Sequence, residues 1–241
     1  MTDLVFPVFE IETYVSLVTL TLMEIVLGID NVVFLSILTS KLEKSQQPKA
    51  RYIGLALAFG FRVLLLLGIS WIIGLTKPLF SVLNYEFSGR DLILILGGLF
   101  LIGKSTSEIH GKMQGEEHGE AAKVAPSFSS VVIQIALIDL VFSFDSVITA
   151  VGLVKHVPVM IAAVLVSMLI MLIFAGKISD IIHRYPTIKM LALSFLLMIG
   201  TMLFAEGFHV HVEKGYIYFA MAFSIFVELL NIRVRSKGAR A

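Results

Sequence analysis

Two short segments of this sequence hold acids in unusual company. Glu24-Ile-Val-Leu-Gly28-Ile-Asp30-Asn31 and Asp139-Leu-Val-Phe-Ser143-Phe-Asp145-Ser146 follow one pattern: an acid, three apolar residues, a small residue, an apolar residue, an acid and a polar residue. Both segments lie within long apolar runs. A carboxylate at the centre of a membrane-spanning helix costs roughly 2.5–3.5 kcal/mol, so four cost about 10 kcal/mol together. Packing alone does not justify that cost, whereas ligation of a hard cation does. Carboxylate and amide oxygens suit manganese, magnesium or calcium, and neither segment offers the thiolate or imidazole that zinc and copper prefer. Met23, beside Glu24, adds a thioether that manganese tolerates, but packing or lipid contact is its simpler role. Arg62 stands midway along another apolar run and is either a moving element that competes with the cation or, more simply, a structural counter-charge to Asp30 or Asp145. The plainer alternative is an interhelical polar cluster, with the acids protonated or paired to Arg62. Four acids exceed one arginine by three charges, which favours an added cation.

Spacing sets a second condition. Residues six apart on an ideal helix point about 120° away from each other. Glu24, Gly28 and Asn31 therefore share one face, as do Asp139, Ser143 and Ser146, while Asp30 and Asp145 point elsewhere on straight helices. Either the helices open at Gly28 and Ser143, as broken transporter helices do, or the acids divide the work. In the second case Glu24, Asn31, Asp139 and Ser146 form one shell, with Asp30 or Asp145 near Arg62 or at a gate. A local break beside Gly28 is the expectation.

The elements that must position these residues are membrane spans. Of 241 residues, 57% are apolar and 15% charged, and the mean hydropathy is +0.92. A soluble domain is nearer half apolar and a quarter charged, and a globule of this size has too much surface to hide the excess. The chain is thus expected in the lipid bilayer, which excludes a soluble enzyme, a nucleic-acid-binding module and a disordered regulator. A net charge of +1 gives nucleic acid nothing to bind. The absence of cysteine removes disulfides, thiolate metal sites and cysteine nucleophiles. The opening MTDLVFPVFEIET has no basic n-region, so no cleavable signal peptide is expected.

A bilayer core of about 30 Å takes roughly 20 residues of helix, and seven runs qualify or nearly so: 13–38, 53–75, 91–107, 129–153, 157–175, 187–206 and 215–232. The third is short. Lys41, Lys44, Lys49, Arg51, Lys104, Lys112, Lys123, Lys177, Arg184, Lys189, Arg233, Arg235, Lys237 and Arg240 fall on one side of the alternating spans, against Lys77, Arg90, Lys155 and Lys214 on the other. Positive loops stay cytoplasmic, so the N-terminus is expected outside and the C-terminus in the cytoplasm.

The acidic pattern is part of a longer internal repeat. Leu101-Ile102-Gly103…Glu108 in the third run is echoed by Met198-Ile199-Gly200…Glu206 in the sixth. The unit is three helices, an odd number, so the second copy enters the membrane inverted, as in many secondary transporters whose substrates bind at the repeat interface. The predicted fold is therefore an all-α membrane protein forming a single transmembrane domain over 1–241. Repeat 1 covers about 13–107, a cytoplasmic loop about 108–127, repeat 2 about 128–207, and an extra seventh helix about 215–232.

The segments EIVLGIDN and DLVFSFDSV, the stretch RDLILILGGLFLIGK and the closing KGYIYFAMAFSIFVELLN resemble the TerC family of integral membrane proteins, in its YgdQ-like branch, over essentially the whole chain. The resemblance implies seven transmembrane helices, a bacterial inner-membrane location, kinship with the lysine-exporter superfamily and, for several members, manganese efflux. Other members are associated with tellurite resistance or with supplying manganese to exported enzymes. Carried over by motif, Glu24, Asp30, Asn31, Asp139 and Asp145 are the implied ion-site residues. Mn2+ is then cargo, and no prosthetic group is expected. Self-association and contacts with membrane or exported proteins stay open.

The remaining polar features have plainer explanations. Glu108, His110, Glu116, Glu117, His118 and Glu120 could gather cations at the inner mouth, but their glycine-rich segment reads more simply as a solvated loop. His209-Val-His211 binds a metal only if extended, and a short exposed turn shows the same alternation. Glu206, Glu228 and Asn231 read as interfacial, and Gln134 as either a lining residue or an interhelical hydrogen-bonding group. Trp71, Tyr52, Tyr85, Tyr185, Tyr216 and Tyr218 fall near span ends, where amphipathic rings settle. Gly97-Gly98 and the set Ala56, Ala58, Gly60 allow close helix contact.

Cation export is thus the leading expectation. Export of an organic or oxyanion solute is second, disfavoured by four acids and a single arginine. A membrane protein acting through partners is third, since only one loop is long. An enzyme is not expected: HExxH, cysteine and paired Ser-Lys or Ser-His groups within a span are all missing, and symmetric acid pairs with Asn31 and Ser146 fit ion ligation better than aspartyl proteolysis.

Overall fold

The apolar runs become helices that satisfy their own backbone groups, the form that lipid demands of a spanning segment. The computed structural model describes residues 11–82, 85–114, 126–153 and 156–238. In order, these form α1 (Ile11–Thr39), α2 (Gln47–Leu67), α3 (Ile69–Gly74), β1 (Pro78–Val82), β2 (Tyr85–Ser88), α4 (Gly89–Met113), α5 (Phe128–Leu153), α6 (Val157–Arg184), α7 (Pro186–Gly207) and α8 (Lys214–Gly238). Seven of the helices are long and apolar enough to cross a membrane: α1, α2, α4, α5, α6, α7 and α8.

Three departures from the expected runs have local causes. The second run divides at Gly68, whose N–H closes α2 on the Leu64 carbonyl while its own carbonyl accepts from Trp71 and Ile72 to start α3. Glycine is a weak helix former, so the division falls there. The third run becomes a helix of 25 residues. Its apolar pattern stops near 107, but Lys104 and Glu108 form an i,i+4 ion pair at 2.9 Å that carries the helix on as a polar extension. Apolar length had marked what lipid covers, not where the helix ends. The antiparallel β1–β2 hairpin was not anticipated, and Phe80 and Phe87 stack across it with centroids 5.7 Å apart.

The chain divides into two compact units. The first holds α1, α2, α3, the hairpin, α5 and α6 as far as Asp180. Within it α5 packs against both α1 and α2. Gly54 of α2 brings that helix onto Ile135 of α5 and Leu35 of α1. Gly28 of α1 faces Met171 of α6, and a methyl group at Gly28 would collide with the Met171 thioether. Of the apolar window of α1, and likewise of α5, 53% is buried, so these are the interior helices of the unit.

The second unit holds α4 from Asp91, with α7 and α8. Gly98 of α4 and Gly200 of α7 meet backbone to backbone; a Cβ on Gly98 would lie 2.6 Å from the Phe204 nitrogen and 2.7 Å from the Gly200 carbonyl oxygen. Gly207 comes equally close to the Asp91 carbonyl and Ile95. α8 packs on α7, where the Thr187 hydroxyl donates to Glu228. Only 11% of the apolar window of α8 is buried, and Phe219, Phe223, Phe226 and Leu229 stand exposed along it, as suits a lipid-facing helix.

Close contact therefore runs through Gly54, Ala58 and Gly98 rather than the expected Ala56 and Gly60. Ala56 is exposed, and a Cβ on Gly60 would meet nothing within 4 Å. Gly98→Ala should lose about 1–3 kcal/mol of stability, the ordinary cost of overpacking, whereas Gly60→Ala should be neutral or slightly stabilising. Thermal unfolding of the two variants in detergent checks this, and equal melting temperatures would contradict the close backbone contact.

Candidate functional site

The first unit buries three charged residues, Glu24, Arg62 and Asp139, among those described. α1 runs unbroken through Gly28 and α5 through Ser143, so the expected break beside Gly28 does not form. The small residues at these positions serve other ends. Gly28 admits Met171, and the Ser143 hydroxyl donates to Asp139 Oδ2 at 3.0 Å, one helical turn away. With both helices straight, the shared faces derived from spacing apply. Glu24, Gly28, Asp139, Ser143 and Ser146 are all buried.

Arg62 of α2 joins the two acidic segments. Its side chain is 2% exposed. Nη1 donates to Glu24 Oε2 of α1, and Nη2 donates to Asp139 Oδ1 of α5 at 3.2 Å. Asn31 Nδ2 donates to the same Asp139 Oδ1 at 3.0 Å. One guanidinium from α2 thus holds a carboxylate from α1 and another from α5, and the second also accepts from the Asn31 amide. Spacing points the arginine toward Asp30 or Asp145; among the described side chains its partners are Glu24 and Asp139. The reason is the face geometry: Glu24 and Asn31 are seven residues apart, almost two turns, and point together toward α2 and α5.

Ser146 is not brought to the carboxylates. It is buried, but its hydroxyl donates to the Ser143 carbonyl of its own helix at 3.2 Å. Asp30 and Asp145 lie in α1 and α5, and their side chains are outside the described residues. Among the described residues, no three His, Asp or Glu side chains stand close enough to hold a metal ion.

Next to Asn31 and Asp139 lies a cavity of about 20 Å³, lined otherwise by Phe34, Leu35, Leu55, Ala58, Ile135 and Ile138. That is room for one water or one bare cation. Of the four buried polar side-chain atoms without a hydrogen-bond partner among the described residues, two belong to this cluster, Asn31 Oδ1 and Arg62 Nε. Leu55 and Ala58 precede Arg62 by seven and four residues and share its face of α2. Spacing could have flagged them, but apolar side chains say nothing about a site until the facing helix is known.

Elsewhere, Gln134 donates to Ser130 of its own helix rather than lining an approach to Asp139. His209 adopts a left-handed backbone, φ 61°, at the end of α7, and its Nε2 lies 3.2 Å from Asp91 Oδ2, so His209 and His211 do not form an extended pair. Glu228 is engaged by Thr187. Of the loop acids and histidines, Glu108 and His110 end α4, while Glu116, Glu117, His118 and Glu120 lie outside the described residues.

Seven apolar helices, two of them with buried acids tied to an arginine on a third, define a multi-span integral membrane protein. The chain belongs to the integral membrane protein TerC family, whose profile matches residues 9–240. It is 52% identical over 225 residues to a UPF0053 protein of Haemophilus influenzae, covering 93% of this chain and 95% of that one. It is also 52% identical over 224 residues to the UPF0053 inner membrane protein YgdQ of Escherichia coli K12, covering 93% and 94% respectively. The UPF0053 inner membrane protein YoaE of the same organism is 50% identical over 219 residues, a match spanning 90% of this chain and 42% of the longer relative. No solved structure matches the chain. The protein is accordingly a multi-pass protein of the bacterial inner membrane.

The cluster sets an order of stability effects. Arg62→Gln leaves two buried carboxylates uncompensated and should cost about 3–5 kcal/mol. Glu24→Gln should cost less, because Asp139 still pairs the arginine. The double variant should lose less than the sum, by about 0.5–3 kcal/mol. Denaturant unfolding followed by the fluorescence of Trp71, the single tryptophan, measures all three; strict additivity would show the pair to be uncoupled.

Proposed function

We propose that the protein carries a divalent cation, foremost manganese, out of the cytoplasm, using the two repeated acidic segments as its ion site. The observation that carries this reading is the convergence of one acid from each segment, Glu24 and Asp139, on a single buried cluster with Asn31 beside a cavity of ionic size. The donors are oxygens, which suits manganese, magnesium or calcium. Within those, manganese is the choice that family resemblance supports. Asp30 and Asp145 of the same segments are proposed to serve the ion at a gate rather than in this shell, with Ser146 at the edge of the shell and Gly28 and Ser143 as supports. The protein acts as a carrier without a prosthetic group and performs no covalent chemistry.

The proposal includes an inverted repeat of α1, α2 and α4 with α5, α6 and α7, the N-terminus outside and the C-terminus cytoplasmic, as in the lysine-exporter superfamily. The grouping of helices supports it. The first two helices of each copy, α1 with α2 and α5 with α6, gather in one unit, and the third of each, α4 and α7, in the other. A three-helix unit used twice would divide in that way. Fourteen of the 19 Lys and Arg residues on the proposed cytoplasmic side support the orientation. Export of an anionic solute is less well supported, because Arg62 is already engaged by two carboxylates.

The test is intracellular manganese, measured by elemental analysis in cells lacking their own exporters. The parent protein should lower it, while Glu24→Gln, Asp30→Asn and Asp139→Asn, each shown to reach the membrane, should leave it at the level of cells without the protein. Unchanged manganese with membrane-inserted parent protein would sink the manganese reading.

A further inference from the structure

We infer that Arg62 is a built-in stand-in for the transported cation: guanidinium and divalent ion alternate on the carboxylates of Glu24 and Asp139, and the arginine allows the unloaded protein to complete its cycle. This rests on the cation-transport reading above.

Charge and geometry make the two occupants mutually exclusive. Nη2 of Arg62 sits on Asp139 Oδ1, the oxygen that also accepts from Asn31, and Nη1 sits on Glu24. A divalent ion using those oxygens would face the guanidinium at near-contact distance, with no bulk water between to screen the repulsion. Two carboxylates with the guanidinium carry a net charge of −1; with a divalent ion instead they are neutral; with both they carry +1. Replacement of the arginine by the ion is the balanced exchange, and addition of the ion to it is not.

The hydrogen bonding fits a departing occupant better than a permanent pillar. A guanidinium has five N–H donors. Here two contacts grip carboxylates, while the buried Nε has no partner among the described residues. Asn31 Oδ1 is likewise unpartnered, and Asn31 and Asp139 border the cavity of about 20 Å³. One unmade bond and the space therefore lie beside the Asp139 carboxylate that the arginine holds. A buried donor left unsatisfied costs stability, so the arginine is held here less tightly than its five donors allow. An internal cation cuts the charge that an empty carrier must bring back, from −2 to −1, without borrowing one from solution.

The experiment uses purified protein, reconstituted into vesicles, with Mn2+ as the probe. Binding is measured by calorimetry, and manganese-for-manganese exchange is measured alongside net efflux. If the arginine-out form holds about a tenth of unloaded molecules, removing the arginine should tighten binding about tenfold. Arg62→Gln should therefore bind Mn2+ more tightly and keep exchange, while net efflux falls by about tenfold or more as the empty return is lost. Unaltered or weaker binding, or equal loss of exchange and net flux, overturns the inference. If Arg62→Gln does not reach the membrane, Arg62→Lys decides: one ammonium cannot grip both carboxylates as two guanidinium nitrogens do, so binding should tighten several-fold with net efflux retained, and unchanged or weaker binding overturns the inference. A parent protein that neither binds nor moves Mn2+ sinks the transport reading and this inference together. Active parent, inactive Glu24→Gln and unchanged affinity in both arginine variants sink this inference alone.

Discussion

A charge in the interior of a membrane protein must find its counter-charge within the protein, because lipid supplies none. The bridge from Arg62 to Glu24 and Asp139 is that constraint made local. It dictates which faces of α1, α2 and α5 point inward, and it needs α2 close enough to α5 for a side chain to span the gap. Gly54 against Ile135 and the small Ala58 beside Arg62 allow that approach. The apolar packing in this unit can be read as the scaffold of one polar contact, since a misplaced helix would leave an ion without a partner, at several kcal/mol.

Much of this was legible from residue spacing. The seven spans follow from apolar length, and the shared faces of Glu24 with Asn31 and of Asp139 with Ser143 follow from 3.6 residues per turn. What spacing could not convey was the identity of neighbours across helices. Arg62 was visible as a lone cation, but its choice of Glu24 and Asp139 depends on how α2 lies against α5. Gly28 looked like a hinge because glycine permits one; the reason for it, Met171 on α6, is nearly 150 residues away in the chain. Ser143 looked like a matching weak point and instead holds the Asp139 carboxylate. The hairpin escaped notice because its few residues, bracketed by Pro78 and Gly89, carry no period long enough to read.

The two units differ in how polar groups are used. In the first, Glu24, Arg62 and Asp139 are gathered inside. In the second, polar contacts such as Asp91 with His209 and Thr187 with Glu228 tie helix ends and neighbouring helices together, while α4 and α7 meet through glycine backbone. Membership of the TerC family covers both units, since the match runs from residue 9 to residue 240.

The two glycine contacts have unequal mechanical character. Between Gly98 and Gly200, backbone rests on backbone with no side chain to yield, so α4 and α7 are joined as if welded. Gly28 rests instead on the thioether of Met171, the end of an unbranched side chain with three rotatable bonds. That contact behaves as a bearing. A flexible thioether yields to a neighbour more cheaply than backbone does. Of these two contacts, the more yielding one therefore lies on the helix that carries Glu24, and its character is set by the choice of residue 171.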